Sequence, residues 1–269
     1  MTEELTAMIK VMSFNIRYGL ANDGENHWNN RKALALARIQ AFGPDLLGLQ
    51  ECRDDSQADF VRLGLPDYHF HGIHRGGPGD TALEMAPLLF RRSAFELLDT
   101  GCFWLSVTPE VPGSMSWGSA YPRTVSWARL ASQSTGVVLT YVNTHFDYEP
   151  PAAIDGNAKV LRQWLDQIRH ETPLIVTGDF NTDRESSAYR ILTGDGALID
   201  AFRQIHSNGV DAATFHAFGR PEPDEMTAID WILVSNHFRV LDAQIDRSRV
   251  GNLFPSDHYP VTAVLDWKA

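Results

Sequence analysis

The strongest constraint on this chain is a cadence that occurs twice. IKVMSFNI (residues 9–16) is rich in apolar and β-favouring residues and reads as a strand whose end carries the polar Asn15. After a loop, residues 31–42 place Leu34, Leu36, Ala37 and Ile39 among polar neighbours, the pattern of a helix that stops at Gly43-Pro44. LLGLQE then reads as a short buried strand with Glu51 just past its end. The same order returns in LTYVNTH (139–145), an amphipathic helix over 156–170, and PLIVTGDFN. Two passes of strand, helix and strand predict a pseudo-duplicated body, although the halves share too little identity to be a sequence repeat.

The runs between and after these units complete the expectation. APLLFRR, FELLDTGCFWLS and TVSWARL are short and separated by Gly, Pro and Ser, as antiparallel strands are; a long loop, VTPEVPGSMSWGSAYP, interrupts them. AIDWILVS, FRVLDAQID and HYPVTAVLDW add three more strand candidates. No linker or low-complexity segment divides the chain, and 43% hydrophobic residues over 269 positions supply a sizeable core. The prediction is one domain over residues 1–269, two packed sheets with helices outside, and residues 1–8 as a flexible N-terminal extension.

Charge bears on partners. A formal net charge of -11, only four lysines (Lys10, Lys32, Lys159, Lys268) and no basic run predict no strong nucleic-acid affinity, because a phosphate polymer is repelled at long range. MTEELTAMIKV lacks the basic start and apolar core of a secretory signal, and no apolar stretch is long enough to span a membrane. A cytoplasmic protein without membrane insertion is expected, with Cys52 and Cys102 reduced. Oligomeric state is left open.

The chemistry gathers at strand ends. TGDFNTD follows the apolar run PLIV and sets two carboxylates and an amide on a tight turn. Turn chemistry alone explains Gly, Asp and Asn at one such place. Asn15, Glu51, Glu84, His145, Asp179, Asn181, Asp230, Asp257 and His258 all lie at strand ends or in the adjoining loops, and turn chemistry does not explain that concentration. Nearly all are acids, amides or imidazoles. Hard divalent cations take oxygen ligands and keep several waters, so Glu51 with Asp257 suits Mg²⁺, whereas a zinc site calls for more His or Cys.

SFNIRYG, LLGLQE, NTHFDYE, GDFN, IDWILVS and SDHYPV, in that order over residues 12–261, resemble the motifs of the endonuclease/exonuclease/phosphatase superfamily, the DNase I-like group. The resemblance implies a four-layered α/β sandwich: two mixed, mostly antiparallel sheets packed face to face, helices outside, and an active site at the top of the sheets. It implies Glu51 as principal Mg²⁺ ligand, with Mn²⁺ as substitute, and Asn15 and Asp257 near the metal. Asp179 is implied to orient or deprotonate the attacking water and Asn181 to bond a phosphate oxygen. His258 resembles the catalytic histidine and Asp230 the carboxylate that orients it. His145 and Glu84 resemble a second histidine and its partner.

Departures from the motifs add substrate candidates. Arg17 stands where some DNA-repair members carry an acid, offering a donor to phosphate or carboxylate. Arg123 follows a Trp-containing loop, similar to a signature of a bacterial branch of unassigned hydrolases, and is a candidate phosphate clamp. Trp28, Trp117 and Tyr121 are candidates for a pocket wall, with local core as the competing role. The resulting expectation is a Mg²⁺-dependent hydrolase of a small or medium organic phosphoester by in-line attack of water. A nuclease is the alternative within enzymes; a non-catalytic scaffold is the remote one.

Overall fold

Side-chain alternation along the strands sorts this sequence into layers. Along Leu46–Gln50, Leu46 packs into one apolar cluster while Leu47 and Leu49 pack into another; along Leu174–Asp179, Ile175 joins the first cluster and Leu174 and Val176 a third. Period-two strands buried on both faces need cover on both sides. The computed structural model describes residues 8–169, 172–206, 213–220 and 227–268. Apart from Met8, the expected N-terminal extension lies outside the described residues.

Strands follow in chain order as β1 (Ile9–Asn15), β2 (Leu46–Gln50), β3 (Cys52–Arg53), β4 (Tyr68–His71), β5 (Glu84–Met85), β6 (Leu88–Arg91) and β7 (Phe95–Trp104). Then come β8 (Thr124–Ser132), β9 (Val138–His145), β10 (Leu174–Asp179), β11 (Leu198–Asp200), β12 (Asp230–Ser235), β13 (Phe238–Ile245) and β14 (Val261–Trp267). The helices are α1 (Trp28–Phe42), α2 (Ser56–Gly64), α3 (Pro151–Ile168), α4 (Ser187–Thr193) and α5 (Ala201–Ile205).

Two six-stranded sheets form, ordered β13-β14-β1-β2-β6-β4 and β11-β12-β10-β9-β8-β7. Pairing is parallel between β1 and β2 and between β9 and β10, and antiparallel elsewhere. These parallel pairs are the two strand, helix and strand units of the sequence cadence, joined by α1 and α3. Val11, Leu46, Phe90, Leu130, Tyr141, Ile175 and Ile232 fill the space between the sheets. Ala35 and Ile39 of α1 with Ala58 and Val61 of α2 cover one outer face; Ala158, Leu161 and Leu165 of α3 with Ala188 and Leu192 of α4 cover the other. The protein is therefore the expected four-layered α/β sandwich.

Helix α1 ends where Gly43 takes a left-handed conformation (φ 63°) and donates its N–H to the Ile39 carbonyl, the stop read from Gly43-Pro44. Its start is three residues earlier than expected, at Trp28. Helix α3 likewise starts five residues early, because Pro151 occupies its first turn, where a missing N–H is tolerated. Trp28 is buried, edge-on to Phe60 at 6.1 Å, so local core is its role and it forms no part of a pocket wall.

Candidate active site

Strand register assembles the site. Asp179 at the end of β10 pairs with His145 of parallel β9 on one side and with Asp230 of antiparallel β12 on the other. Neighbouring strands lie about 4.8 Å apart, so three chemically active residues form one row across the sheet edge. In the facing sheet, β1 and β2 end together at Asn15 and Gln50. Backbone strain then aims the residues just beyond the strands: Arg17 (φ 59°), Glu51 (φ 57°) and Asn181 (φ 51°) all adopt left-handed conformations that side chains other than glycine rarely accept.

Asn15 ties the two sheets together. Its amide nitrogen donates to Glu51 Oε1 at 3.0 Å and to Asp179 Oδ2 at 2.9 Å, while its oxygen accepts the Arg17 N–H. The amide nitrogen, rather than the oxygen expected to sit near a metal, thus faces the carboxylates. Tyr18 N–H donates to the other Glu51 oxygen at 2.9 Å. Asp257 is buried, 3.6 Å from Arg17 Nε, and Arg17 forks onto Asp23.

Glu51, Asp179 and His258 bring one ligand atom each within 4.8 Å of one another, a divalent-metal site. The donors fit that group. Glu51, Asp179 and buried Asp257 crowd three carboxylates into one place, and Arg17 is the cation within ion-pair distance of two of them. A hard cation with oxygen preference relieves that repulsion.

The two histidines flanking Asp179 have opposite environments. His258 Nδ1 and Asp230 Oδ2 are 2.8 Å apart, and Nε2 is 3.8 Å from Asp179. Burial opposes a charge on His258, but Asp230 and Asp179 outweigh it and hold the imidazole up to about 10. His145 Nε2 lies 3.1 Å from the Asn181 amide nitrogen and 3.6 Å from Asp179. Burial, reinforced by Arg123, pushes His145 down to about 3. Burial also pushes the Asp179 carboxyl up, with Asp230 adding to it.

Glu84 departs from its expected partnership. It is 3.7 Å from His145 Nδ1, beyond hydrogen-bond reach, and pairs instead with Arg75 at 2.6 Å. Arg123 is buried between Asp147 (3.4 Å) and Glu84 (3.9 Å). A cavity of about 490 Å³ opens onto the row; its lining includes Arg17, Tyr121, Arg123 and seven of the nine strand-end candidates (Glu51, Glu84, His145, Asp179, Asn181, Asp257 and His258), while Asn15 and Asp230 lie behind the carboxylates and His258.

Trp117, the other wall candidate, packs onto Gly156 of α3, where no Cβ would fit, and does not line the cavity. Tyr121 does, and Tyr148 stands beside it with ring centroids 6.3 Å apart. Sequence reasoning missed Tyr148, Arg75, Phe215 and the buried Arg31. Arg31 donates to the carbonyls of Ile16, Arg17 and Pro255, lashing the loop after β1 to the loop that carries Asp257. Nothing in the helical pattern around Arg31 signals that role, since its partners are up to 224 positions away.

Among solved structures, an endonuclease/exonuclease/phosphatase from Bacteroides vulgatus is 33% identical, with 97% of this chain and 99% of that one covered at a TM-score of 0.88. A mannosyl-6-phosphatase from Bacteroides thetaiotaomicron is 28% identical, with 96% and 100% covered at a TM-score of 0.87. Rattus norvegicus Nocturnin is 25% identical over 281 residues, covering 94% of this chain and 63% of Nocturnin, so the chain spans less than two thirds of that relative.

A further relative overturns the expectation of a small-molecule partner without strong nucleic-acid affinity, and a further solved structure shares the fold. The Neurospora crassa CCR4-Not complex 3'-5'-exoribonuclease subunit Ccr4 is 23% identical over 255 residues, 69% of this chain and 32% of Ccr4. D. rerio TDP2, complexed with a single strand DNA product, shares the fold at a TM-score of 0.77 and 14% identity. Net charge misled because it sums the whole chain and says nothing of the local groups, Arg17, Arg75 and Arg123 among them, that line the cavity. Among the described residues no helix is long and apolar enough to cross a membrane. With its family model matching residues 12–258 and its metal cluster at the strand ends, the chain belongs to the Endonuclease/Exonuclease/phosphatase family and is a metal-dependent hydrolase of the phosphoesterase and nuclease type.

Proposed function

We propose that the chain cleaves a phosphoester by in-line attack of water with Mg²⁺ as its working ion and Mn²⁺ as substitute. The observation that carries this reading is the row at the strand ends, where Asp179 lies 3.8 Å from His258 Nε2 and 3.6 Å from His145 Nε2, and where Glu51, Asp179 and His258 bring ligand atoms within 4.8 Å of one another. A bound divalent cation, held by Glu51 with Asp257 nearby, would polarise a phosphoryl oxygen and offset its charge.

The chain's own residues account for the rest. Asp179, whose carboxyl burial pushes up, accepts a proton from the attacking water. The water oxygen bonds to phosphorus, the ester P–O bond opposite it breaks, and the leaving oxygen takes a proton from solvent. His258, charged and steadied by Asp230, faces a non-bridging oxygen; Asn181 donates to another. Arg17 completes the cation set on the side of Asp257.

A phosphomonoester is supported by the mannosyl-6-phosphatase neighbour, and cleavage of RNA by the exoribonuclease subunit Ccr4. Both readings keep the same row of residues. The unpaired thiols Cys52 and Cys102 support a cytoplasmic setting for one catalytic domain. The test is a divalent-metal titration of phosphate or nucleotide release after chelation. Wild type should be silent without metal, and Glu51→Gln should need at least about tenfold more Mg²⁺ for half-maximal rate. Full activity in chelator, or an unchanged metal requirement in Glu51→Gln, refutes the assignment.

A further inference from the structure

The cavity has a second polar region beyond the reacting groups. Glu84 stands one imidazole ring away from Asp179, with His145 between them at 3.7 Å and 3.6 Å. Arg75 pairs with Glu84 at 2.6 Å, and its guanidinium lies 4.5 Å from the centroid of the Tyr121 ring. Arg123 is 4% exposed, yet its Nε and Nη1 have no hydrogen-bond partner. Tyr121 and Tyr148, 45% and 48% exposed, form an aromatic rim tilted by 41°. All of these residues line the cavity.

We infer that Arg75, Glu84, Arg123, Tyr121 and Tyr148 form a subsite for a leaving group that is a ring bearing vicinal hydroxyls. Two buried guanidinium nitrogens without partners in a cavity wall call for an acceptor from outside the chain. An apolar leaving group leaves them unmet. A second phosphate suits them poorly, because the charges of Arg75 and Arg123 are formally matched by Glu84 and Asp147. Hydroxyls fit, since each both donates and accepts: guanidinium N–H groups give to them, and Glu84 takes from them. An aromatic face at the rim accepts the apolar face of such a ring. Pyranose and ribose rings share this chemistry.

The inference rests on the phosphoesterase reading, and the experiment separates the two. With the 269-residue chain and Mg²⁺, phosphate release is measured from two matched pairs: a hexose 6-phosphate against tetrahydropyran-2-ylmethyl phosphate, and a ribonucleoside 5'-monophosphate against its 2',3'-dideoxy analogue. An aryl phosphate reports the chemistry alone. In at least one pair, loss of the hydroxyls should lower kcat/KM at least about tenfold, and the responding pair identifies pyranose or ribose. Arg75→Met should reduce that ratio below about threefold, whatever its overall rate, and a hexose 1,6-bisphosphate should not surpass the monophosphate tenfold. Cleavage of the aryl ester with a ratio under tenfold in both pairs, a ratio retained in Arg75→Met, or a tenfold preference for the bisphosphate overturns the subsite. Failure to cleave any of these esters, the aryl one included, instead removes the phosphomonoesterase reading on which it rests.

Discussion

Replacing Asp230 by Asn isolates the electrostatics of His258. The imidazole ordinarily titrates near 6.5, and here it is held up to about 10 against the opposing effect of burial. At about 1.4 kcal/mol per pH unit, the folded protein favours the charged imidazole by about 5 kcal/mol. Asp230 is the first of the attractive groups, through its 2.8 Å contact and its charge, so about half of that, roughly 2–3 kcal/mol, should vanish in Asp230→Asn. Because the folded value lies above the unfolded one, the stabilisation is complete below about pH 6.5 and is lost as pH rises towards about 10. Thermal unfolding of chelated protein, free of any competing cation, should show the variant melting about 5–10 °C below wild type at pH 6, with the gap closing by pH 10. A gap that stays constant or widens over that range would show that His258 is not held charged by Asp230.

Asp179→Asn and His258→Ala should each lower kcat at least about a hundredfold, and the double variant should fall well short of the product, because both act on one step; multiplying losses would place them in separate steps. Gly48→Ala should cost about 2–4 kcal/mol in denaturant unfolding, since the added methyl would overlap Thr177 Oγ1 and Asn143 Oδ1 in the seam between the sheets; an unchanged midpoint refutes this. His216 is fully buried between Phe254 and Tyr259, its ring nitrogens lack partners, and burial pushes it down to about 3. A folded value below the unfolded one means stability is lost as pH falls from about 6.5 towards 3, so His216→Phe should flatten the acid limb of the Tm profile; an equally steep limb in the variant refutes the assignment.

Much of this molecule was legible from local pattern. Apolar runs ending on Asn15, Glu51, His145 and Asp179 mark strands whose tips carry the chemistry, because burial along a strand and polarity at its end are both written in consecutive residues. The stop of α1 at Gly43 follows from a backbone conformation that glycine adopts without strain. Tertiary structure alone decided which tips meet. Asp179 sits between His145 and Asp230 through strand register, and Asn15 reaches Asp179 across 164 positions, a pairing no local pattern contains. Trp28 went to the core and Trp117 onto α3, because an aromatic side chain suits a helix interface as well as a pocket wall. Glu84 turned from His145 to Arg75 because a buried carboxylate is stabilised more by a guanidinium than by an imidazole that burial keeps neutral. Net charge, a sum over all residues, carried no information about the three arginines that folding brings to one cavity.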